Sequence, residues 1–369
     1  MKKLLALPAL LLFVIPPLES QQITGKATLN VGTATGAGHY DGTVKVCGGS
    51  FCNSSGQKLH LVGPNIFGEL GRQTPCTNLR GGDEPSLAQA IADVPYIAAW
   101  KANIIRIGVD EDCWLDINGM VNGGAAYQTS VQNYVTAAHA SNMYVILTLF
   151  TAAPGTNQSG TVGSSGSPMA DRDHATAYWA SVARFFKNDP GVMFDLYNEP
   201  HGFVDWNCWL NGGCDLGFVV EGMQEMLTAV RNAGALDQPV LLGVLSYDHD
   251  TSQFLTHLPS DPSNAFALEF HQYNTASNLD YASLLAATQA ANIPILEGEL
   301  GEYNSCGSTY DPPIMTWNDQ HNVNYLPWVW YTGTCGPPGQ ASALITDYSG
   351  TPTQPYGAAV KAHLQALNP

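Results

Sequence analysis

Between Leu59 and Leu367 the chain keeps changing its hydrophobic rhythm: short apolar, β-branched runs alternate with longer stretches of helical period. The strand-like runs are Leu59–Phe67, Asn103–Val109, Met143–Phe150, Val192–Tyr197, Pro239–Ser246, Asn264–Phe270, Ile293–Glu299 and Val323–Trp330. Helical text separates them at Asp93–Lys101, Tyr127–Ser141, Asp171–Lys187, Phe218–Ala233, Thr251–Leu258, Leu279–Ala291 and Met315–His321, and Gln354–Leu367 closes the chain. In the first of these, Asp93 reads as a cap and Pro95 as a first-turn residue, after a separate short turn at Ser86–Ile91. Strands joined by helices pair in parallel, because the crossover helix returns the chain to the same end of the sheet. Eight such units predict an α/β fold of one kind, a closed (β/α)8 TIM barrel, over an open doubly wound sheet. Thr43–Cys47 and Leu59–Val62, with Gly48, Gly49 and Ser54–Gly56 between them, predict a short N-terminal β-hairpin leading directly into the first strand.

The N-terminus is of another kind. Lys2 and Lys3, the apolar run Leu4–Ile15, and Pro16, Pro17 and Ser20 spell a secretory signal peptide over residues 1–20. Residues 21–42, rich in Gly, Thr and Ala, read as a flexible leader, and 43–369 as a single barrel domain. No later run is long and apolar enough to cross a bilayer, so a secreted, monomeric protein is expected. Eight cysteines in an exported chain point to disulfides rather than metal thiolates. Cys47 with Cys52 and Cys208 with Cys214 are natural local pairs; Cys76 with Cys113 and Cys306 with Cys335 complete one of the many possible connectivities.

Charge narrows the partners. With 14 Lys and Arg against 31 Asp and Glu, the formal net charge is −17, so nucleic acid and anionic membranes are repelled. A neutral polysaccharide or oligosaccharide meets no such barrier. A barrel of this kind puts its chemistry at the carboxyl ends of its strands. Taken in order, those ends carry Asn65, Arg106, Phe150, Asn198 with Glu199, Tyr247, His271 with Tyr273, Glu299, and Trp328 with Trp330. Two carboxylates on opposite sides of the ring, among hydrogen-bonding and aromatic groups, suit cleavage of a glycosidic bond, where one acid donates a proton and the other attacks or activates water. Glu199 ends the fourth strand and Glu299 the seventh. Glu297 competes with Glu299, because the two share strand parity and would face the same side.

The run F-D-L-Y-N-E-P at Phe194–Pro200 resembles the signature of family 5 glycoside hydrolases, the cellulase and mannanase family. The resemblance extends through L-V-G-P-N at Leu61–Asn65, N-I-I-R-I at Asn103–Ile107, H-Q-Y at His271–Tyr273, P-I-L-E-G-E-L-G-E at Pro294–Glu302 and T-D-Y-S-G-T-P-T at Thr346–Thr353. It implies a retaining glycosidase acting on β-linked glucan, an endo-β-1,4-glucanase before a β-mannanase, a β-1,3-glucanase or a glycan-binding barrel without activity. Glu199 would be the acid/base and Glu299 the nucleophile. Asn198 would bond the 2-hydroxyl, Arg106 would keep Glu299 ionised, and His271 and Tyr273 would line the cleavage subsite, with Tyr273 on Glu299. Trp330 or Trp328 would be the aromatic platform. The chain departs from the family at Thr148–Phe150, T-L-F where D-L-H is usual.

Other features read either way. Trp114, Trp206 and Trp209 lie in loops where they could stack on sugars or simply pack, whereas Trp100, Trp179 and Trp317 fall in helices and belong to the core. Asp171, Asp173 and His174 read as an acidic helix start, and Asp248, His249 and Asp250 as a solvated loop. No H-E-x-x-H, phosphate-binding glycine loop or G-x-S-x-G element occurs, and no cofactor or metal is expected.

Overall fold

The computed structural model describes residues 39–66, 76, 87–155, 166–302, 307–333 and 342–367. The expected signal peptide, most of the leader and the Cys306–Cys335 pair lie outside these residues. Strands β1 (Lys45–Val46) and β2 (Phe51–Cys52) form the antiparallel hairpin, with Val46 opposite Phe51; the second strand is Phe51–Cys52 rather than Leu59–Val62, because Val62 bridges Tyr325 at the barrel edge. Eight parallel strands follow: β3 (Asn65–Ile66), β4 (Ile104–Asp110), β5 (Tyr144–Thr151), β6 (Val192–Asp195), β7 (Val240–Gly243), β8 (Phe266–Tyr273), β9 (Ile295–Gly301) and β10 (Asn324–Pro327). Each pairs with the next in sequence, from β3 to β10. Isolated parallel bridges from Val62 to Tyr325 and from Ile66 to Trp330 join the two ends of the sheet, so the barrel closes as expected. The helices are α1 (Leu87–Ala99), α2 (Glu111–Leu115), α3 (Ala125–Ala140), α4 (Ala175–Phe186), α5 (Trp206–Asn211), α6 (Met223–Asn232), the single turn α7 (Leu245–Asp248), α8 (Tyr281–Ala290), α9 (Asp311–His321) and α10 (Tyr356–Leu367).

Alternation along the strands sorts side chains into two cores. One face packs under the helices with Ile105, Ile107, Val145, Leu147, Val192, Phe194 and their neighbours. The other fills the barrel interior with Ile104, Ile146, Met193, Leu241, Ala267, Leu296 and Leu326, closed off by Val44, Phe51 and Leu59 from the hairpin segment. The hairpin is therefore a plug: it caps an apolar layer that would otherwise meet water. Two disulfides stand where spacing put them, Cys47–Cys52 and Cys208–Cys214, and Cys76–Cys113 is formed as well.

Local departures have physical causes. Helix α1 runs without interruption through Pro95, so the expected short turn and capped helix are one element. Thr251–Leu258 yields only a 3-10 turn at Phe254–Thr256. The expected strand Pro239–Ser246 stops at Gly243, because the chain then turns through Ser246, Tyr247 and Asp248 with φ of 61°, 59° and 57°. Glu297 and Glu299 do not share a side. The β8–β9 register shifts between Phe270↔Glu297 and His271↔Glu299, leaving Gly298 as a bulge residue. Glu297 lies among the helices, bonded to Tyr281 and Asn318.

Candidate active site

The site begins one layer above the apolar interior. Two residues beyond Ile104 on β4 comes Arg106, only 2% exposed, with polar side chains on each guanidinium nitrogen. Nη1 donates to Asn65 Oδ1 at 3.1 Å and to Glu299 Oε1 at 2.9 Å. Nη2 reaches Asn198 Oδ1 at 2.8 Å, and Nε reaches Asp195 Oδ2 at 3.0 Å. Asn65 is itself fixed, its Nδ2 donating to the carbonyls of Gly298 at 2.8 Å and Leu326 at 3.1 Å. Side chains from β3, β4, β6 and β9 thus meet on one guanidinium, whose fork geometry suits several acceptors at once.

Glu199 leaves β6 in a left-handed conformation, φ 55°, and its backbone N–H donates to Asp248 Oδ2 at 2.9 Å. Its Oε1 lies 2.9 Å from Nδ1 of His271, and Glu299 Oε2 lies 3.6 Å from the same nitrogen. Tyr273 donates its hydroxyl to Glu299 Oε2 at 2.5 Å. Oxygens of Glu199 and Glu299 come within 4.8 Å of one another, close to the spacing of a nucleophile and its acid/base partner. A quarter of the Glu199 side chain is exposed, whereas Glu299 is almost entirely buried.

The charges balance in pairs. Burial opposes protonation of His271, but Glu299, Asp248, Glu199 and Glu269 outweigh it and hold the ring well above its ordinary value. Burial raises Glu299, and the charge on Glu199 adds to this, while His271, Arg106 and the Tyr273 hydroxyl pull it back. Burial and the charge of Glu269 push Asp195 up to about 8. Burial likewise drives Asp248 well above the usual carboxylate range. The two buried cations, Arg106 and His271, thus face a cluster of buried carboxyls, Asp195, Asp248, Glu269 and Glu299.

Most residues expected from sequence converge here: Asn65, Arg106, Asn198, Glu199, His271, Tyr273 and Glu299. Two tryptophans do not. Trp114, in α2, is buried against Tyr178, Phe185 and Phe186, with its Nε1 donating to Ser181 Oγ at 3.0 Å. Trp330 is fully buried, edge-on to Trp100 just after α1 at 4.9 Å, on the helix side of the barrel. Trp328, partly exposed and joined to Val329 by a cis peptide bond, is the one of the pair with free surface. Phe150 at the end of β5 is half-buried. Trp206 and Trp209 pack inside the structure too.

Sequence reasoning missed Asp195, Glu269, Asp248 and His201. Asp195 and Glu269 sit two residues beyond Met193 and Ala267, at inward parity, and that spacing was the available signal. Asp248 is not a solvated loop residue: it is buried, against Gly243. His201 stacks flat on Tyr247, with ring centroids 4.3 Å apart. Tyr247, 56% exposed, shares with Glu199, His249, His271, Tyr273 and Thr275 a cavity of about 310 Å³. Among the described residues, three His–carboxylate clusters have a metal-like spacing. Two share His271, where Arg106 already supplies a cation to the carboxylates. In the third, Glu111, Asp171 and His174, the Ala153 N–H donates to both carboxylates.

Comparison with known proteins agrees with the barrel fold. The model of the cellulase family, glycosyl hydrolase family 5, matches residues 70–334. Endoglucanase MaCel5A of Microbulbifer sp. (strain ALW1) is 22% identical over 315 residues, 80% of this chain and 54% of that protein. The chain spans about half the length of the curated relatives it matches. Among solved structures, the β-glucanase SdGluc5_26A from Saccharophagus degradans in complex with cellotetraose superposes with a TM-score of 0.63 at 17% identity, covering 88% of this chain and 94% of that one. The mannotriose complex of Thermomonospora fusca β-mannanase gives 0.61 at 17% identity, covering 87% and 94%. With a closed eight-stranded barrel and a family match across most of its length, this chain belongs to glycosyl hydrolase family 5.

Proposed function

We propose that the protein is a secreted, retaining, endo-acting hydrolase of β-linked glucan, with β-1,4-glucan as the preferred substrate. The observation that carries this reading is the placement of Glu199 and Glu299 within 4.8 Å of one another across His271. Glu299, oriented by Arg106 and Tyr273, attacks the anomeric carbon while Glu199 gives its proton to the departing oxygen. The glycosidic bond breaks and a glycosyl-enzyme ester forms. Glu199, now a carboxylate, takes a proton from water, whose oxygen attacks the same carbon and releases Glu299. Because Arg106 occupies Asn198 Oδ1, the Asn198 group left for a sugar hydroxyl is the Nδ2 donor. Trp328 and Tyr247 offer aromatic surface to pyranose faces.

Export is supported by the signal-like N-terminal sequence and by three disulfides. The glucan preference is supported by relatives named endoglucanases and by the cellotetraose complex. A β-mannan is the second reading, supported by the Streptomyces lividans mannan endo-1,4-β-mannosidase and by the mannotriose complex. The test is reducing-end release from soluble β-glucan, carboxymethyl cellulose, mannan and laminarin by wild type and by E299A. Wild type is expected to act best on the β-1,4-glucans, and E299A on none of the four. Faster mannan hydrolysis supports the second reading, and an active E299A removes Glu299 as nucleophile.

A further inference from the structure

The interior layer directly beneath the catalytic carboxylates is unlike the apolar one below it. Two residues beyond Ile104, Ile146, Met193, Leu241, Ala267 and Leu296 stand Arg106, Thr148, Asp195, Gly243, Glu269 and Gly298. Barrel interiors are ordinarily filled at such positions by branched apolar side chains, and a buried carboxylate there is costly unless it is paired. The two glycines make the layer possible. A Cβ on Gly298 would stand 1.8 Å from Glu269 Oε1, and one on Gly243 would stand 2.6 Å from Asp248 Oδ1. Gly298 is also the bulge residue immediately before Glu299. The Glu269 carboxylate therefore fills the gap that the bulge opens.

Glu269 Oε1 lies 3.2 Å from Arg106 Nε and 3.3 Å from His271 Nε2. Arg106 has Asp195, Glu299, Asn65 and Asn198 on its guanidinium besides Glu269, the strongest of its charged partners. The far nitrogen of His271 has fewer partners: Glu269, and Asp248 at 3.5 Å. We propose that Glu269 is a positioning residue for catalysis: it holds the His271 ring from below, so that Nδ1 stands between Glu199 and Glu299. The proposal rests on the assignment of those two carboxylates as the catalytic pair.

The groups that face Glu269 are Arg106 from β4, Asp195 from β6, Asp248 from the turn after β7 and His271 from β8; Glu299 of β9 shares Arg106 and His271 with it. Burial raises Glu269, but Arg106 and His271 outweigh it and keep the group ionised. An ionised Glu269 in turn favours the protonated ring of His271, with both nitrogens donating.

The test compares wild type, E269Q, E269D and E299A by steady-state kinetics on the best substrate of the panel, by thermal melting, and by an NMR titration of the His271 imidazole. In E269Q, kcat should fall about tenfold to a hundredfold, as for loss of a charge-assisted hydrogen bond, with KM within about twofold. His271 should also lose its proton at a lower pH than in wild type. E269D, which keeps the charge but draws it back by one methylene, should fall between the two. If E269Q does not fold, E269D carries the test, with reduced kcat and a lowered His271 titration expected. A wild-type kcat and His271 titration in the folded variant overturns the role of Glu269. So does a loss of activity matched by the loss of folded protein with His271 unchanged. E299A keeps the two readings apart: activity in E299A removes the catalytic assignment itself, whereas an inactive E299A beside a fully active E269Q removes only Glu269.

Discussion

Tyr273 and Arg106 each place a donor on one oxygen of Glu299, and the tyrosine is the partner that can be removed without leaving a buried charge. In Y273F Glu299 loses the hydrogen bond that favours its ionised form, so its already raised pKa rises further. The acid limb of the kcat/KM profile should then move to higher pH, by about one unit, and activity should drop more steeply at pH 5 than at pH 7. An unmoved acid limb would show that Tyr273 does not hold the ionised nucleophile. At this scale the sequence was informative about polar residues and poor about aromatics. Asn65, Arg106, Asn198, Glu199, His271, Tyr273 and Glu299 could be read because strand parity and strand ends constrain where a polar group can be satisfied. Trp114 and Trp330 could not, because a tryptophan is equally at home against a sugar and between a strand and a helix, and parity does not say which layer covers it. Asp195 and Glu269 were passed over although they broke an apolar strand at inward positions.

The bulge in β9 is the element on which the site turns. Without it Glu297 and Glu299 would face the same side; with it Glu299 faces the interior and Glu297 faces α8 and α9. G298A puts a methyl group against the buried Glu269 carboxylate, and should cost about 1–3 kcal/mol of stability together with most of the activity. Unfolding in denaturant checks the first part, and a variant as stable as wild type would mean that Glu269 has room to move. Glu297 makes a separate prediction. Burial pushes it up to about 8, against the hydrogen bonds from Tyr281 and Asn318. Since its folded pKa lies above the ordinary 4.5, the stabilisation is complete below that value and is lost as pH rises toward 8. E297Q should therefore flatten the fall of Tm between pH 6 and 9, and an identical slope in the variant would contradict this. Elements themselves were legible, because eight changes of period are a strong signal, but their ends were not. A strand stops where a backbone turn such as Ser246–Asp248 takes over, and bulges and left-handed turns leave little trace in hydrophobic pattern.

For the whole molecule, the acids with raised values set the direction of pH dependence. Asp195 and Glu297 near 8 and Asp311 near 7 are each raised chiefly by burial, and each loses its contribution as pH rises through those values. His271, also raised, acts in the same sense: its contribution is complete below the ordinary 6.5 and is lost as pH rises through the folded value. Glu269 and Asp261 act oppositely, because their lowered values withdraw stability only as pH falls through them. Tm should accordingly decline from pH 5 to pH 9, reinforced by a net charge already at −17. A Tm that rises over this range would mean that these carboxyls are not held protonated. The closed barrel makes such a layer possible, since its lower interior is sealed by the hairpin and its upper interior can be given to charge. All of this serves one chemical claim, that Glu299 becomes covalently bonded to the sugar. Incubating the wild-type enzyme with a 2-deoxy-2-fluoro-β-cellobiosyl fluoride, digesting it and sequencing the labelled peptide by mass spectrometry tests that claim most directly. A single fluoroglycosyl adduct on Glu299 is expected; an adduct on another residue, or turnover of the reagent to the inverted anomer without any adduct, would contradict the claim.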